Sequence, residues 1–258
     1  MVLPDCLWII PSEEPVLSSG SIHLWCASLD PPAAQIQHLA QLLSPDERVR
    51  AERFHFQKDS RHFTVARGIL RILLSRYLQL EPGQLQFEYG SRGKPALTAI
   101  CGGEQLSFNL SHSHGLALYA IAPIAPPGNM TNAELGVDIE YIRPLDTAEQ
   151  LAQRFFSAQE YAVIQKLPAA DKQEAFFHYW TCKEAYIKAT GDGLAKSLDQ
   201  VEVLITPGEP ARFVKIDGDW QKAADWQVKQ LLPATGYIAA LVAKRHNWHV
   251  NCWQWSWL

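Results

Sequence analysis

The sequence predicts an α+β fold in two halves, with a seam near residues 122–134. Three observations point to it. Amphipathic helical stretches and short alternating strands succeed one another on both sides of that seam. The stretch Pro123 to Ala133 holds three prolines, Gly128 and two asparagines, and reads as a linker or exposed loop. A chain of 258 residues can also bury a sizeable core as one large domain or two small ones. The division expected is an N-terminal half over 1–122, a linker loop over 123–134 and a C-terminal half over 135–258.

In chain order, Ile22 to Leu29 reads as a strand, and Pro31-Pro32 precede a helix to about Leu43. Ser44-Pro45-Asp46-Glu47 opens another helix, with Ser44 at the cap, Pro45 first inside and acids in the first turn. Arg48, Arg50 and Arg53 follow on it. Asp59 to Leu80 is a longer amphipathic helix with apolar residues at 63, 66, 69, 70, 73, 74 and 77, stopped by Pro82-Gly83. Short strands then run to about Ile121, with a basic hairpin-like turn at Gly90–Pro95. Beyond the loop come a strand at 135–140, helices near 147–155, 157–166 and 171–190, and strands near 201–205, 211–216, 225–231 and 236–243. There is no convincing repeat between the halves at sequence level. Trp253, Trp255 and Trp257 alternate at period two, as on a last strand packing an aromatic face onto a core.

Composition narrows the function. A hydrophobic content of 47% and a charged content of 19% are ordinary for a soluble globule. A net charge of −4 and a pI near 6.1 argue against a dedicated nucleic-acid binder. Five cysteines at 6, 26, 101, 182 and 252, without a CxxC, fit free thiols in a reducing cytoplasm. Met1 to Val16 lacks a basic start and is broken by prolines and Glu13-Glu14, so it does not read as a signal peptide. No apolar run is long enough to suggest a membrane span.

Two short stretches carry the chemistry. Gly136-Val137-Asp138-Ile139-Glu140 reads as a strand, with Asp138 and Glu140 on one face and Val137 and Ile139 on the other. In Trp180-Thr181-Cys182-Lys183-Glu184-Ala185-Tyr186-Ile187-Lys188, read as a helix, Trp180, Glu184 and Lys188 fall on one side. Alone, the first would be a solvated strand face and the second surface charge with i, i+4 support. Brought together they offer three carboxylates and two ammonium groups, a set that suits a hard divalent cation on a phosphate-bearing ligand. A third stretch, Phe108-Asn109-Leu110-Ser111-His112-Ser113-His114-Gly115, reads as a strand or strand end and then a tight polar turn.

These stretches resemble the 4′-phosphopantetheinyl transferases of the longer Sfp-like (surfactin-synthetase-activating) type. The likeness rests on Gly93-Lys94-Pro95, Asn109 to Ser113, Gly136 to Glu140, Phe155-Phe156-Ser157 through Glu160-Tyr161, and Trp180-x-x-Lys183-Glu184-Ala185-x-x-Lys188. Any one motif is weak; five in order, across about residues 20 to 245, are specific. The resemblance implies a pseudo-twofold pair of similar α/β subdomains with small, largely antiparallel sheets and a coenzyme A cleft at the seam. It implies transfer of phosphopantetheine from coenzyme A to a serine of an apo acyl carrier protein, or of a peptidyl or polyketide carrier domain. The enzyme would be a cytoplasmic monomer needing Mg²⁺, or Mn²⁺ in its place.

Carried over residue by residue, Asp138, Glu140 and Glu184 are the expected metal ligands. Glu184 is also a candidate base for the carrier serine, directly or through water. Lys188 would neutralise a phosphate oxygen near the breaking bond, with Lys183 also expected to face phosphate or else to be exposed. Ser111 and His112 resemble the pair that contacts coenzyme A phosphates. Arg50 and Lys94 are the expected contacts to the 3′-phosphate or adenine side; Glu47 stands where the family carries a second basic residue. A Ser-His hydrolase is a poor fit, because neighbours on a strand point apart. A His112-x-His114 metal site lacks a well-spaced third ligand, and His114 reads as a loop histidine. Two rivals stay open: an Mg²⁺-dependent phosphodiesterase or nuclease, and a non-catalytic module that binds coenzyme A or a carrier.

Overall fold

The computed structural model describes residues 6–124, 134–193, 197–244 and 247–257. It is an α+β chain of small sheets, with most of the expected loop, residues 125–133, outside the described residues. In the first half, strand β1 (Ser21–Ser28) leads to helices α1 (Ala33–Leu42), α2 (Pro45–Glu52) and α3 (Gln57–Leu78). The ribbon β2 (Phe87–Tyr89) and β3 (Pro95–Leu97) precedes the hairpin β4 (Leu106–Ser113) and β5 (Leu116–Pro123). The second half runs β6 (Leu135–Tyr141), α4 (Ala148–Phe155), α5 (Ala158–Lys166), α6 (Ala169–Thr190), the ribbon β7 (Val201–Leu204) and β8 (Arg212–Ile216), then α7 (Trp220–Ala224), β9 (Trp226–Leu231) and β10 (Tyr237–Lys244). The last strand, β11 (His249–Gln254), closes the chain.

Helix α3 shows why these residues form these elements. Val65, Ala66, Ile69, Leu70, Leu73 and Leu74 are buried at helical spacing against β1 and β5. The helix ends where Gln79 takes a left-handed backbone, φ 55°, and stops the ladder. Helix α2 begins on the capping box read from the sequence, with Ser44 and Glu47 exchanging side-chain and backbone bonds.

Two sheets organise the molecule. One has the order β11-β1-β5-β4 and the other β6-β10-β9. All their ladders are antiparallel except β1 with β11, which is parallel. Period-two alternation gives each sheet two apolar faces. Trp25, Ala27 and Leu29 face α3, while Ile22, Leu24 and Cys26 join Val137, Ile139, Ala239 and Leu241 in a core shared by both sheets. The opposite face of β6-β10-β9 packs on α6.

Three findings depart from the sequence reading. The short helix α7 was not expected. The tryptophan-rich terminus lies in the first half's sheet, where Trp253 is paired with Trp25 on β1, so residues 249–254 cross back over the expected boundary. Cys6 and Cys252 are joined as a disulfide with Cα atoms 5.8 Å apart, which corrects the expectation of free thiols throughout; Cys26, Cys101 and Cys182 remain free and buried. Among the described residues no helix is long and apolar enough to cross a membrane.

Candidate active site

Helix α6 lies directly on β6 because Gly136 has no side chain. A Cβ there would meet the Ala185 carbonyl oxygen at 2.0 Å and the Ala189 nitrogen at 2.5 Å. This close approach sets Glu184 and Lys188 of the helix over the face of β6 that carries Asp138 and Glu140. The opposite face of the strand sends Val137 and Ile139 into the shared core, as the alternation predicts.

The side chains form one network. Lys188 Nζ donates to Asp138 Oδ1 at 2.6 Å and to Ser111 Oγ at 2.7 Å. Ser111 Oγ donates in turn to Asp138 Oδ1 at 2.9 Å. Ser113 Oγ donates to Glu140 Oε2 at 3.0 Å, and Arg143 stands 3.7 Å from the same oxygen. Two carboxylate oxygens are left over: Asp138 Oδ2 and Glu184 Oε1 are buried and meet no donor among the described residues. Unpaired buried anionic oxygens are costly. The cost registers in Glu184, whose carboxyl is pushed up to about 7 by burial and by the charges of Asp138 and Glu140, against the pull of Lys188. Burial and Asp138 likewise raise Glu140.

This donor set fits a hard divalent cation. Oxygen ligands, excess negative charge and two orphaned oxygens are what such an ion relieves. Among the described residues no three carboxylate, imidazole or thiol groups stand close enough to complete an ion site unaided. The network opens on a cleft of about 230 Å³ between the halves, lined by Arg92 and Lys94 from the first, Leu110 of β4, and Glu184, Lys188 and Gly191 from the second.

Comparison with known proteins gives the family. The family model described as "4′-phosphopantetheinyl transferase superfamily" matches residues 134–242, and that described as "4′-phosphopantetheinyl transferase, N-terminal" matches residues 27–123. The 4′-phosphopantetheinyl transferase HetI of Nostoc sp. is 45% identical over 95% of this chain and 97% of its own. The chain belongs to the 4′-phosphopantetheinyl transferase superfamily. Two other members share less of the sequence. A 4′-phosphopantetheinyl transferase of Bacillus pumilus is 37% identical over 64% of each chain, and Sfp of Bacillus subtilis is 28% identical over 68% of this chain and 73% of its own.

Within this transferase the expected site residues divide into three groups. Ser111, Asp138 and Lys188 are bonded to one another, Glu184 feels the charges of Asp138, Glu140 and Lys188, and Glu140 is held by Ser113. Lys94 lines the cleft, but its ammonium donates to the carbonyls of Ala189 at 2.8 Å and Leu135 at 3.3 Å and so bridges the halves. Burial depresses its pKa to about 8, against the pull of Glu134. Arg50 and His112 are exposed. The Arg50 guanidinium sits 5.4 Å over the Phe63 ring, and protein packed about the His112 ring, with Lys188 and His62, holds its pKa below the usual value.

Lys183 is a correction. It is fully buried, 2.7 Å from Glu160 Oε2, and donates to the carbonyls of Leu198 and Val201, so it faces no phosphate. Adjacent positions on a helix point about 100° apart. With Glu184 facing the strand, Lys183 turns towards α5 and β7. Glu47 is likewise not a cleft residue. It is buried and held by Arg67 Nε at 2.8 Å and Arg71 Nε at 2.7 Å. Ser113 and Asn109 had no role assigned from sequence, although both belong to the Asn109–Ser113 motif; both reach across to β6.

Proposed function

We propose that this transferase moves 4′-phosphopantetheine from coenzyme A to a serine hydroxyl of an apo carrier protein and releases 3′,5′-ADP. The observation that supports this reading is the pair of orphaned oxygens on Asp138 and Glu184, beside Lys188 and Ser111, at the mouth of a cleft walled by both halves. Asp138, Glu140 and Glu184 would hold Mg²⁺, or Mn²⁺ in its place. When bound, that ion supplies charge neutralisation at the coenzyme A diphosphate and at the departing phosphate.

The residues of this chain do the rest. The carrier serine oxygen forms the new bond to phosphorus as the bond to the 3′,5′-ADP oxygen breaks, and that oxygen leaves with the electron pair. The serine proton goes to Glu184, directly or through one water. Lys188, already half-exposed beside Ser111, reaches the phosphate by exchanging Asp138 for a substrate oxygen. His112 contacts the diphosphate as a hydrogen-bond partner, while the exposed guanidinium of Arg50 takes the 3′-phosphate. We place the reaction in the cytoplasm, in a monomer whose two halves frame the cleft.

The test is direct. Incubation with coenzyme A, Mg²⁺ and an apo acyl, peptidyl or polyketide carrier raises the carrier's intact mass by one phosphopantetheine group. Asp138→Ala and Glu184→Ala abolish that rise while circular dichroism stays native. Near-normal turnover by both variants at saturating Mg²⁺ would remove the carboxylates from the mechanism.

A further inference from the structure

Strands β4 and β6 are the facing edges of the two sheets. They run side by side in the same direction, yet no main-chain ladder joins them; side chains take its place. Asn109 Oδ1 accepts the Val137 N–H at 2.9 Å, and Ser113 Oγ accepts the Tyr141 N–H at 3.2 Å. Both pairs are 28 residues apart, so the offset between the strands is constant. Edge N–H groups must find partners or stay solvated, and here residues 109 and 113 supply them. The same row makes a second set of bonds, since Ser111 donates to Asp138 and Ser113 donates to Glu140. Residues 109, 111 and 113 share one face of β4 because side chains alternate along a strand.

From this double set of bonds we infer that Ser113 is a positioning residue for the metal ligand Glu140, and that the row Asn109-Ser111-Ser113 locks the ligand strand in register with the first half. The inference rests on the cation reading proposed above. The Ser113 hydroxyl accepts the Tyr141 N–H, and of its two neighbouring acceptors Glu140 Oε2 at 3.0 Å is nearer than His114 Nδ1 at 3.4 Å, so its proton goes to Glu140 and fixes that carboxylate before an ion arrives. A glutamate left to rotate would lose side-chain freedom on binding, and prior orientation removes that cost. Groups that orient ligands in this way typically alter metal affinity by about 10- to 100-fold. Arg143 stands farther from Glu140 and is exposed, so it contributes charge rather than orientation.

The experiment compares Ser113→Thr with Ser113→Val, two side chains of the same shape that differ in the hydroxyl and suit a strand alike. Mn²⁺ is titrated into each full-length variant with coenzyme A present, and free Mn²⁺ is read by electron paramagnetic resonance. Thr should bind within a few-fold of the parent and Val about 10-fold more weakly. The Mg²⁺ concentration for half-maximal transfer should rise with Val, while the rate at saturating Mg²⁺ stays near the parent's. Equal Mn²⁺ affinity in Thr and Val, with Glu140→Gln weakened, overturns the positioning role and leaves the cation site standing. Parent-like affinity in Glu140→Gln as well removes Glu140 from the site, and this inference falls with it.

Discussion

At the scale of single residues, one glutamate shows how charge is partitioned between scaffold and site. Glu47 occupies a position where the family resemblance leads one to expect a cation, yet it supports the fold. Burial pushes its carboxyl up, but Arg67, Arg71 and the Ser44 N–H outweigh burial and hold it below the usual carboxylate value of 4.5. Replacing it breaks a buried charge network, a change that costs about 3–5 kcal/mol. Glu47→Gln, which keeps the capping-box shape, should therefore lose stability of that order in urea unfolding at neutral pH. A depressed carboxylate contributes stability above its unfolded value and loses it as pH falls through the folded value. The gap between parent and Glu47→Gln should thus be full above pH 4.5 and narrow progressively below it. A gap that stays constant into acid would mean that Glu47 contributes shape rather than charge. Coenzyme A affinity should change little, because the carboxylate is buried against Arg67 and Arg71.

At the scale of elements, the close contact of α6 with β6 builds the site. Glu184 and Lys188 stand over Asp138 because Gly136 lets the helix backbone come within reach of the strand. Gly136→Ala places a methyl 2.0 Å from the Ala185 carbonyl oxygen, and a helix backbone cannot turn aside as a flexible side chain can. Overpacking of this kind costs about 1–3 kcal/mol. It should also displace the helix, so that transfer falls far more than stability does, since misplacing catalytic groups by about 1 Å can cost 100-fold. Melting temperature and carrier mass shift, measured on the same preparation, test this. Parent-like values in both would show that the interface yields without harm. The buried pair of Lys183 and Glu160 belongs to the same scale. Glu160 caps α5, accepts the Val203 N–H at 2.7 Å and holds Lys183, so three elements are tied through one carboxylate.

For the whole molecule, residues near both ends of the chain add a link between the halves. Strand β11 follows the entire second half and then pairs with β1, and Cys6 is bonded to Cys252 on that strand across 246 residues of sequence. In the chain-entropy view, a cross-link closing so long a loop stabilises by about 5 kcal/mol at most. Protein purified without reductant should titrate three thiols when denatured, rising to five after reduction. Reduction should lower the melting temperature. Cys26 and Cys182 contribute little reactivity in the folded state, since burial pushes both up to about 12. Five thiols without reductant, and a melting curve that reductant does not move, would return the cysteines to the free state expected from composition.

What the sequence determined by itself is whatever local rules govern. The capping box at Ser44 and Glu47, the apolar period of the helix over 57–78 and the alternation that puts Asp138 and Glu140 opposite Val137 and Ile139 all follow from neighbours within a few residues. The ordered motifs likewise announced the family. Tertiary structure alone decided the rest, because each remaining question concerns groups far apart in sequence. Lys183 could be sorted from Lys188 only once α5 and β7 were in place around it. Glu47 found its arginines across 20 and 24 residues. The return of β11 to β1, and the reach of Asn109 and Ser113 from one sheet edge to the other, have no local signal, since a strand's own residues do not say which edge it will join.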